Sequence, residues 1–217
     1  MRELEYGRPM EIEGESFAII GRELEQMGIQ LPREHEMVVK RAIHTTADFD
    51  YVKNLVFTSG AAAAGIAALK AGTPIVTDTN MARSGINRGA MEKLGLEAHC
   101  FMAQPQVAQR AKELGTTRAV VSMDWGAEQF PEAVYAIGNA PTALLRMEEL
   151  IRAGRMRPAL IIAVPVGFVN VVESKQRIFA LAQEQGIPAI AAMGRKGGST
   201  VAAAICNALL YQAGGRG

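Results

Sequence analysis

Histidine occurs three times in the chain, and one of the three, His44, lies in the run Lys40-Arg41-Ala42-Ile43-His44-Thr45-Thr46-Ala47-Asp48. Imidazole is the side chain whose unperturbed pKa lets it both give and take a proton near neutrality. Arg41 can grip a carboxylate with parallel N–H donors, and His44 can serve as general acid or base. Together they supply what proton transfer to an anionic molecule requires. A plainer reading competes, in which Arg41 pairs with an acid on a helix surface and His44 is solvated or satisfied in the core. The setting of Arg41, Thr45 and Thr46 beside apolar Val38, Val39 and Ile43 leaves these two readings level.

Other stretches carry weaker chemistry. Ser16 in Gly14-Glu15-Ser16-Phe17-Ala18 approaches a nucleophile elbow, but the closing Gly is missing and the context is helical, which argues against a serine hydrolase. Gly138-Asn139-Ala140-Pro141-Thr142 joins a strand to a helix; its N–H groups can cradle an anion, although capping by Asn139 is the simpler reading. Gly194-Arg195-Lys196-Gly197-Gly198-Ser199 puts two cations on a glycine-rich loop before a helix, an anion cradle or a solvated basic turn. It lacks the spacing of a Walker loop or a dinucleotide fingerprint. Pro165-Val166-Gly167-Phe168-Val169-Asn170 is an apolar loop that lets backbone approach a flat ligand, and Asp78, Asn80, Arg83 and Asn87 follow a buried strand and can add polar contacts. Combined, these loops describe a broad pocket with apolar walls and a cationic rim. That suits a large, flat, polycarboxylated ligand better than a nucleotide.

The elements that must position these residues are legible as apolar runs. Pro74–Asp78, Ala98–Met102, Ala133–Ile137, Ala159–Val164 and Pro188–Ala192 read as strands buried on both faces, because they are continuously apolar rather than alternating. Helices are expected at Ile12–Met27, from Pro32 through His44, and at Gln106–Leu114, Thr142–Ala153, Ser174–Gln185 and Thr200–Gln212. The last four are each followed by a glycine, Gly115, Gly154, Gly186 or Gly214, read as left-handed caps. Met37, Arg41 and His44 share a helix face. Strand-helix alternation of this kind predicts an α/β fold: one three-layer domain over residues 1–217, with a mostly parallel sheet and helices on both faces. Ligands bind such sheets at the carboxyl ends of the strands.

Composition narrows the classes. The formal charge is +1, from 23 basic and 22 acidic residues, so no global field points to nucleic acid or an anionic membrane. Cys100 and Cys206 show no zinc-like spacing and read as two buried thiols of a reduced, cytoplasmic protein with no bound metal. Met1 to Met10 has no apolar core of a secretory signal. Ala159 to Val172 is interrupted by Pro165, Gly167 and Asn170 and is too short to span a bilayer.

Four blocks, taken in order, resemble the precorrin-8X methylmutase family: Ile43 to Asp50, Gly138 to Leu144, Val164 to Val169 with Glu173-Ser174-Lys175, and Gly194 to Ser199. The resemblance covers essentially the whole chain, and Thr45-Thr46-Ala47-Asp48 with the Arg195-Lys196 loop is closer to the cobalt-precorrin-8 branch. It implies an isomerase of cobalamin biosynthesis that moves a methyl group from C11 to C12 of a corrin precursor without an added cofactor. It also implies a homodimer acting on a polycarboxylated corrinoid. By the same resemblance His44 matches the family's catalytic histidine, and Ser16 and Arg41 match substrate contacts. Arg195 and Lys196 are then expected to hold ring carboxylates, with Thr45, Asn80 and Asn139 adding polar contacts. A carrier that binds the corrinoid without changing it, and a nucleotide-dependent α/β enzyme, are the competing classes.

Overall fold

The computed structural model describes residues 9–215; residues 1–8, most of the stretch read above for a leader, lie outside it. The chain runs α1 (Pro9–Gln26), α2 (Glu36–Thr46), α3 (Tyr51–Asn54), β1 (Leu55–Phe57), α4 (Ala61–Lys70), β2 (Ile75–Thr77), α5 (Asn80–Gly85), α6 (Arg88–Leu94) and β3 (Ala98–His99). It continues with α7 (Pro105–Glu113), α8 (Arg118–Gln129), β4 (Val134–Ile137), α9 (Pro141–Arg152), β5 (Leu160–Ala163), α10 (Val171–Gln185), β6 (Ala189–Ala192) and α11 (Ser199–Ala213).

The six strands form one sheet in the order β1-β6-β5-β4-β2-β3. All neighbours are parallel except β1, which pairs antiparallel with β6. The strands are apolar throughout because both faces are covered. Ile75, Val134, Ala136, Leu160, Ile162 and Ile190 pack with residues of α1, α2, α4 and α11. Val76, Tyr135, Ile137, Ile161, Ala163 and Ala189 pack with α7, α8, α9 and α10. Each fully buried Leu or Ile side chain contributes about 1.5–3 kcal/mol. This is the three-layer α/β architecture the strand-helix alternation predicts. Successive strands move from β2 outward to β3 and then back across to β4, so the order reverses between β2 and β4. That gap, at the carboxyl ends, is where such folds bind ligands.

Five helices, α3, α4, α5, α6 and α8, and the antiparallel strand depart from the sequence reading. β1 is only three residues long and lies at the edge, so no extended apolar run marks it. α4 is an alanine-rich helix with little amphipathic contrast. α5 and α6 are single short turns, each capped by a side chain, Thr79 to Ala82 N–H and Asn87 to Ala90 N–H. α8 is capped in the same way by Thr117. β3 is two residues long rather than five, because only β2 supports it. Gly115, Gly154 and Gly186 adopt left-handed φ, whereas Gly214 does not (φ −82°). Its N–H still donates to Leu210 at 2.9 Å, so the helical ladder extends one residue further and the left-handed position is Gly215.

Candidate active site

His44 sits in the last turn of α2. Val38, Val39, Ala42 and Ile43 are buried against the core, which leaves Arg41, His44 and Thr45 on the opposite side, His44 and Thr45 exposed. α2 ends at Ala47 in left-handed conformation (φ 53°), a geometry that costs a non-glycine residue about 1 kcal/mol. It turns the chain abruptly beyond His44. Thr46 Oγ1 donates to Ala42 O at 2.8 Å, keeping this turn wound.

α1 lies across α2. The Phe17 ring is 5.4 Å from the His44 ring. The Arg41 guanidinium is held between Phe17 and Tyr211, at 4.7 and 4.9 Å from the ring centroids. Its Nη1 is ion-paired with Glu13, and its Nε is buried with no hydrogen-bond partner among the described residues. Ser16, one residue before Phe17, donates its hydroxyl to Ile12 O at 2.8 Å, within its own helix.

At the reversal point the sheet has supplied its own anion. Asp78, fully buried after β2, accepts N–H bonds from Gly138 (2.9 Å), Asn139 (2.8 Å) and Ala140 (2.7 Å). The cradle before α9 is therefore filled by a side chain of the chain itself. Asn139 caps nothing: the N-cap position is Ala140, and no side chain of its own closes the helix. Burial raises the Asp78 carboxyl above its usual range, and the three N–H donors pull the other way. Both oxygens accept and none donates, the pattern of an ionised carboxylate. With Asp78 in this place, Asn80 at the start of α5 and Asn139 before α9 stay exposed. A Cβ on Gly138 would meet Ser199 Cα at 2.7 Å, so only glycine lets the end of β4 approach the start of α11. Thr79 Oγ1 and Ser199 Oγ, 2.8 Å apart, tie the same two regions. Of the other polar residues expected there, Arg83 is spent on Ala98 O (2.8 Å), and Asn87 caps α6 and meets Tyr211 Oη at 3.1 Å.

The loop after β6 is built from below. Lys175, buried on α10 with no carboxylate beside it among the described residues, donates to Gly194 O (3.0 Å) and Lys196 O (2.8 Å). Burial lowers its pKa to about 8. Gly197 presses against the preceding strand end, where a Cβ would lie 2.2 Å from Val164 O. From this loop Lys196 Nζ reaches both Asp48 and Asp50 at 2.6 Å. These carboxylates hold its pKa above the usual range, and the Lys196 hydrogen bond holds Asp48 below the carboxylate range. Met193 N–H donates to Asn54 O at 2.7 Å. The end of α2 is thus fixed to the carboxyl end of β6. Arg195 stacks over Phe168, 5.2 Å from its centroid, in the loop whose Val166, Phe168 and Val169 are exposed.

His44, Thr45, Arg195, Lys196, Asn80 and Asn139 therefore all belong to the strand-end rim or to elements tied to it, while Ser16 and Arg41 form the α1–α2 corner next to His44. Asp78, Lys175, Glu13 and Tyr211 were not read from the sequence as its supports. The anion cradle and the cations at 41 and 196 carry internal partners. Cys206 is buried, but Cys100 is only partly so. Among the described residues no group of His, Cys, Asp or Glu could hold a metal ion, and no helix is long and apolar enough to cross a membrane. A cavity of about 650 Å³ at the β3 edge is lined by Arg83 and His99 but not by His44, Arg41, Arg195 or Lys196.

Known proteins resemble the chain in sequence and fold. Residues 11–212 match the profile of the precorrin-8X methylmutase family. A cobalt-precorrin-8 methylmutase of Leptospira interrogans is 44% identical over 211 residues, covering 95% of this chain and 94% of that protein. A precorrin-8X methylmutase of Pseudomonas aeruginosa is 40% identical over 90% of this chain and 91% of its own. The crystal structure of precorrin-8X methylmutase from Thermus thermophilus superposes with a TM-score of 0.84 at 38% identity, over 94% of this chain and 98% of that one. Profile, sequence identity and fold agree over nearly the whole described chain, and the chain belongs to the precorrin-8X methylmutase family, isomerases that transfer a methyl group within a corrin precursor.

Proposed function

We propose that the chain moves the methyl group of cobalt-precorrin-8 from C11 to C12, with His44 as the general acid. The observation that supports this reading is the tether of Lys196 to Asp48 and Asp50, which joins the turn after His44 to the loop that carries Arg195. The migration is formally a 1,5-sigmatropic shift, so no nucleophile receives the methyl group and mass is unchanged. The His44 imidazolium protonates or hydrogen-bonds the ring C region, drawing electron density away and lowering the barrier. The neutral imidazole recovers the proton as the conjugated product forms. Such acid catalysis contributes about two to four orders of magnitude, and the remainder comes from holding the ring in its reactive conformation.

Arg41 and Arg195 anchor ring carboxylates, Ser16, Thr45, Asn80 and Asn139 supply polar contacts, and Lys196, already paired with two aspartates, positions the end of α2. The protein works in the cytoplasm. Phe168 and Val169, 81% and 77% exposed, give the rim an apolar border that supports a homodimer in which a second copy covers each site. The cobalt branch follows the name of the Leptospira relative. A nucleotide is disfavoured because Asp78 fills the phosphate-type cradle.

Anaerobic incubation with cobalt-precorrin-8 and, separately, with metal-free precorrin-8X tests the proposal. A changed visible spectrum at unchanged mass, faster with the cobalt compound, is expected. Faster turnover of the metal-free compound reverses the branch, and a bound but unaltered ring identifies a carrier instead.

A further inference from the structure

The Arg41 guanidinium is closely packed. Its Cζ lies 4.7 Å from the Phe17 ring centroid and 4.9 Å from that of Tyr211. Nε is sealed from solvent, and the side chain is 14% exposed overall. On the Nη side, Glu13 from α1 holds Nη1. A carboxylate that takes both Nη groups in parallel has to take Nη1 from Glu13.

We infer that Glu13 is an internal stand-in for a substrate carboxylate, holding Arg41 until a carboxylate of the polycarboxylated ring displaces it. This rests on the reading of Arg41 as a substrate anchor. Glu13 is suited to exchange. Its side chain is 40% exposed, and its recorded contact is to one guanidinium nitrogen, Nη1. Such a single-point contact is weaker than a bidentate one, in which a well-placed carboxylate takes a guanidinium through two parallel bonds. Arg41 also keeps the Phe17 and Tyr211 rings to pack against once Glu13 leaves. The exchange conserves charge: one carboxylate leaves for water as another arrives, and no proton moves. Phe17, which clamps Arg41, also lies against His44, so the incoming carboxylate is registered beside the imidazole.

The test is a double-mutant cycle on the full chain, read as the equilibrium dissociation constant of cobyrinate, with thermal unfolding recorded for each protein. Glu13→Gln removes the competitor and is expected to tighten binding by about threefold to fivefold, the scale of one single-point ion pair that water can reach from the carboxylate side. Arg41→Met is expected to weaken it, and Glu13→Gln is expected to have no effect once Arg41 is Met. That last arm separates competition for Arg41 from a general loss of negative charge near an anionic ligand. Should Glu13→Gln fail to fold, Glu13→Asp, one methylene shorter, replaces it with the same expectation. Unchanged affinity in Arg41→Met overturns the anchor reading and the proposal with it. Weakened Arg41→Met beside a weakened or unaltered Glu13→Gln overturns the proposal alone, as does equal tightening in both backgrounds.

Discussion

Lys196 Nζ lies 2.6 Å from Asp48 Oδ2, joining residues 148 apart in sequence. The contact links the glycine-rich loop after β6 to the residue that follows the left-handed turn ending the His44 helix. Because Lys175 holds the backbone of the same loop through Gly194 and Lys196, a buried amine, a surface amine and two aspartates form one continuous support. The imidazole is carried on α2 but located by the β6 loop.

Lys196→Ala removes the partner that keeps Asp48 below the usual carboxylate range. A depressed folded pKa stabilises the native state fully above the unfolded value, near 3.8, and this contribution disappears as pH falls through the lower folded value. Urea unfolding of both proteins, stepped from about pH 5 to about pH 2, should show the native protein's advantage shrinking to nothing. Being exposed, the advantage should also fall in high salt. A difference that persists in acid contradicts the tether.

Lys175 titrates in the opposite range. Its folded pKa is about 8 against 10.5 for the free side chain. Between these values the unfolded chain binds a proton that the native chain does not, so stability rises with pH. Relative to Lys175→Met, which cannot titrate, the native protein should gain on the order of 3 kcal/mol from below pH 8 to above pH 10. Unfolding free energies measured across that window check it, and a flat difference means the amine is not charged and buried as described.

Asp78→Asn preserves shape but replaces one acceptor oxygen by an NH2 group. At least one of the N–H groups of Gly138, Asn139 and Ala140 then faces a donor in a buried setting. The expected cost is about 2–3 kcal/mol, seen as a lower denaturation midpoint, together with weaker corrinoid binding as Asn139 loosens. A loss below about 0.5 kcal/mol contradicts the picture of Asp78 as the anion of that cradle.

The sequence was most legible where one local rule decides. Continuous apolar runs marked β2, β4, β5 and β6 because both faces are buried, and glycines at 115, 154 and 186 marked helix ends because left-handed φ suits them. It was least legible where pattern is weak or contacts are long-range. Leu55–Phe57 is too short to announce an edge strand, and the alanines of α4 carry no amphipathic contrast. Thr117 before Arg118–Gln129 is a cap signal that could have revealed α8. Arg41, His44, Arg195 and Lys196 stood out by residue type. Their partners did not: Glu13 is 28 residues from Arg41, Asp78 is about 60 from the N–H groups it holds, and Lys175 binds backbone rather than a side chain. Cations that read as ligand anchors can be committed internally, and only the fold reveals it.

The most direct test is a single-turnover experiment with His44→Ala and cobalt-precorrin-8 under anaerobic conditions, following the visible spectrum, alongside binding of cobyrinate. The account predicts near-native product affinity with turnover slowed by about two orders of magnitude or more. Normal turnover by His44→Ala would contradict it and remove the imidazole from the chemistry.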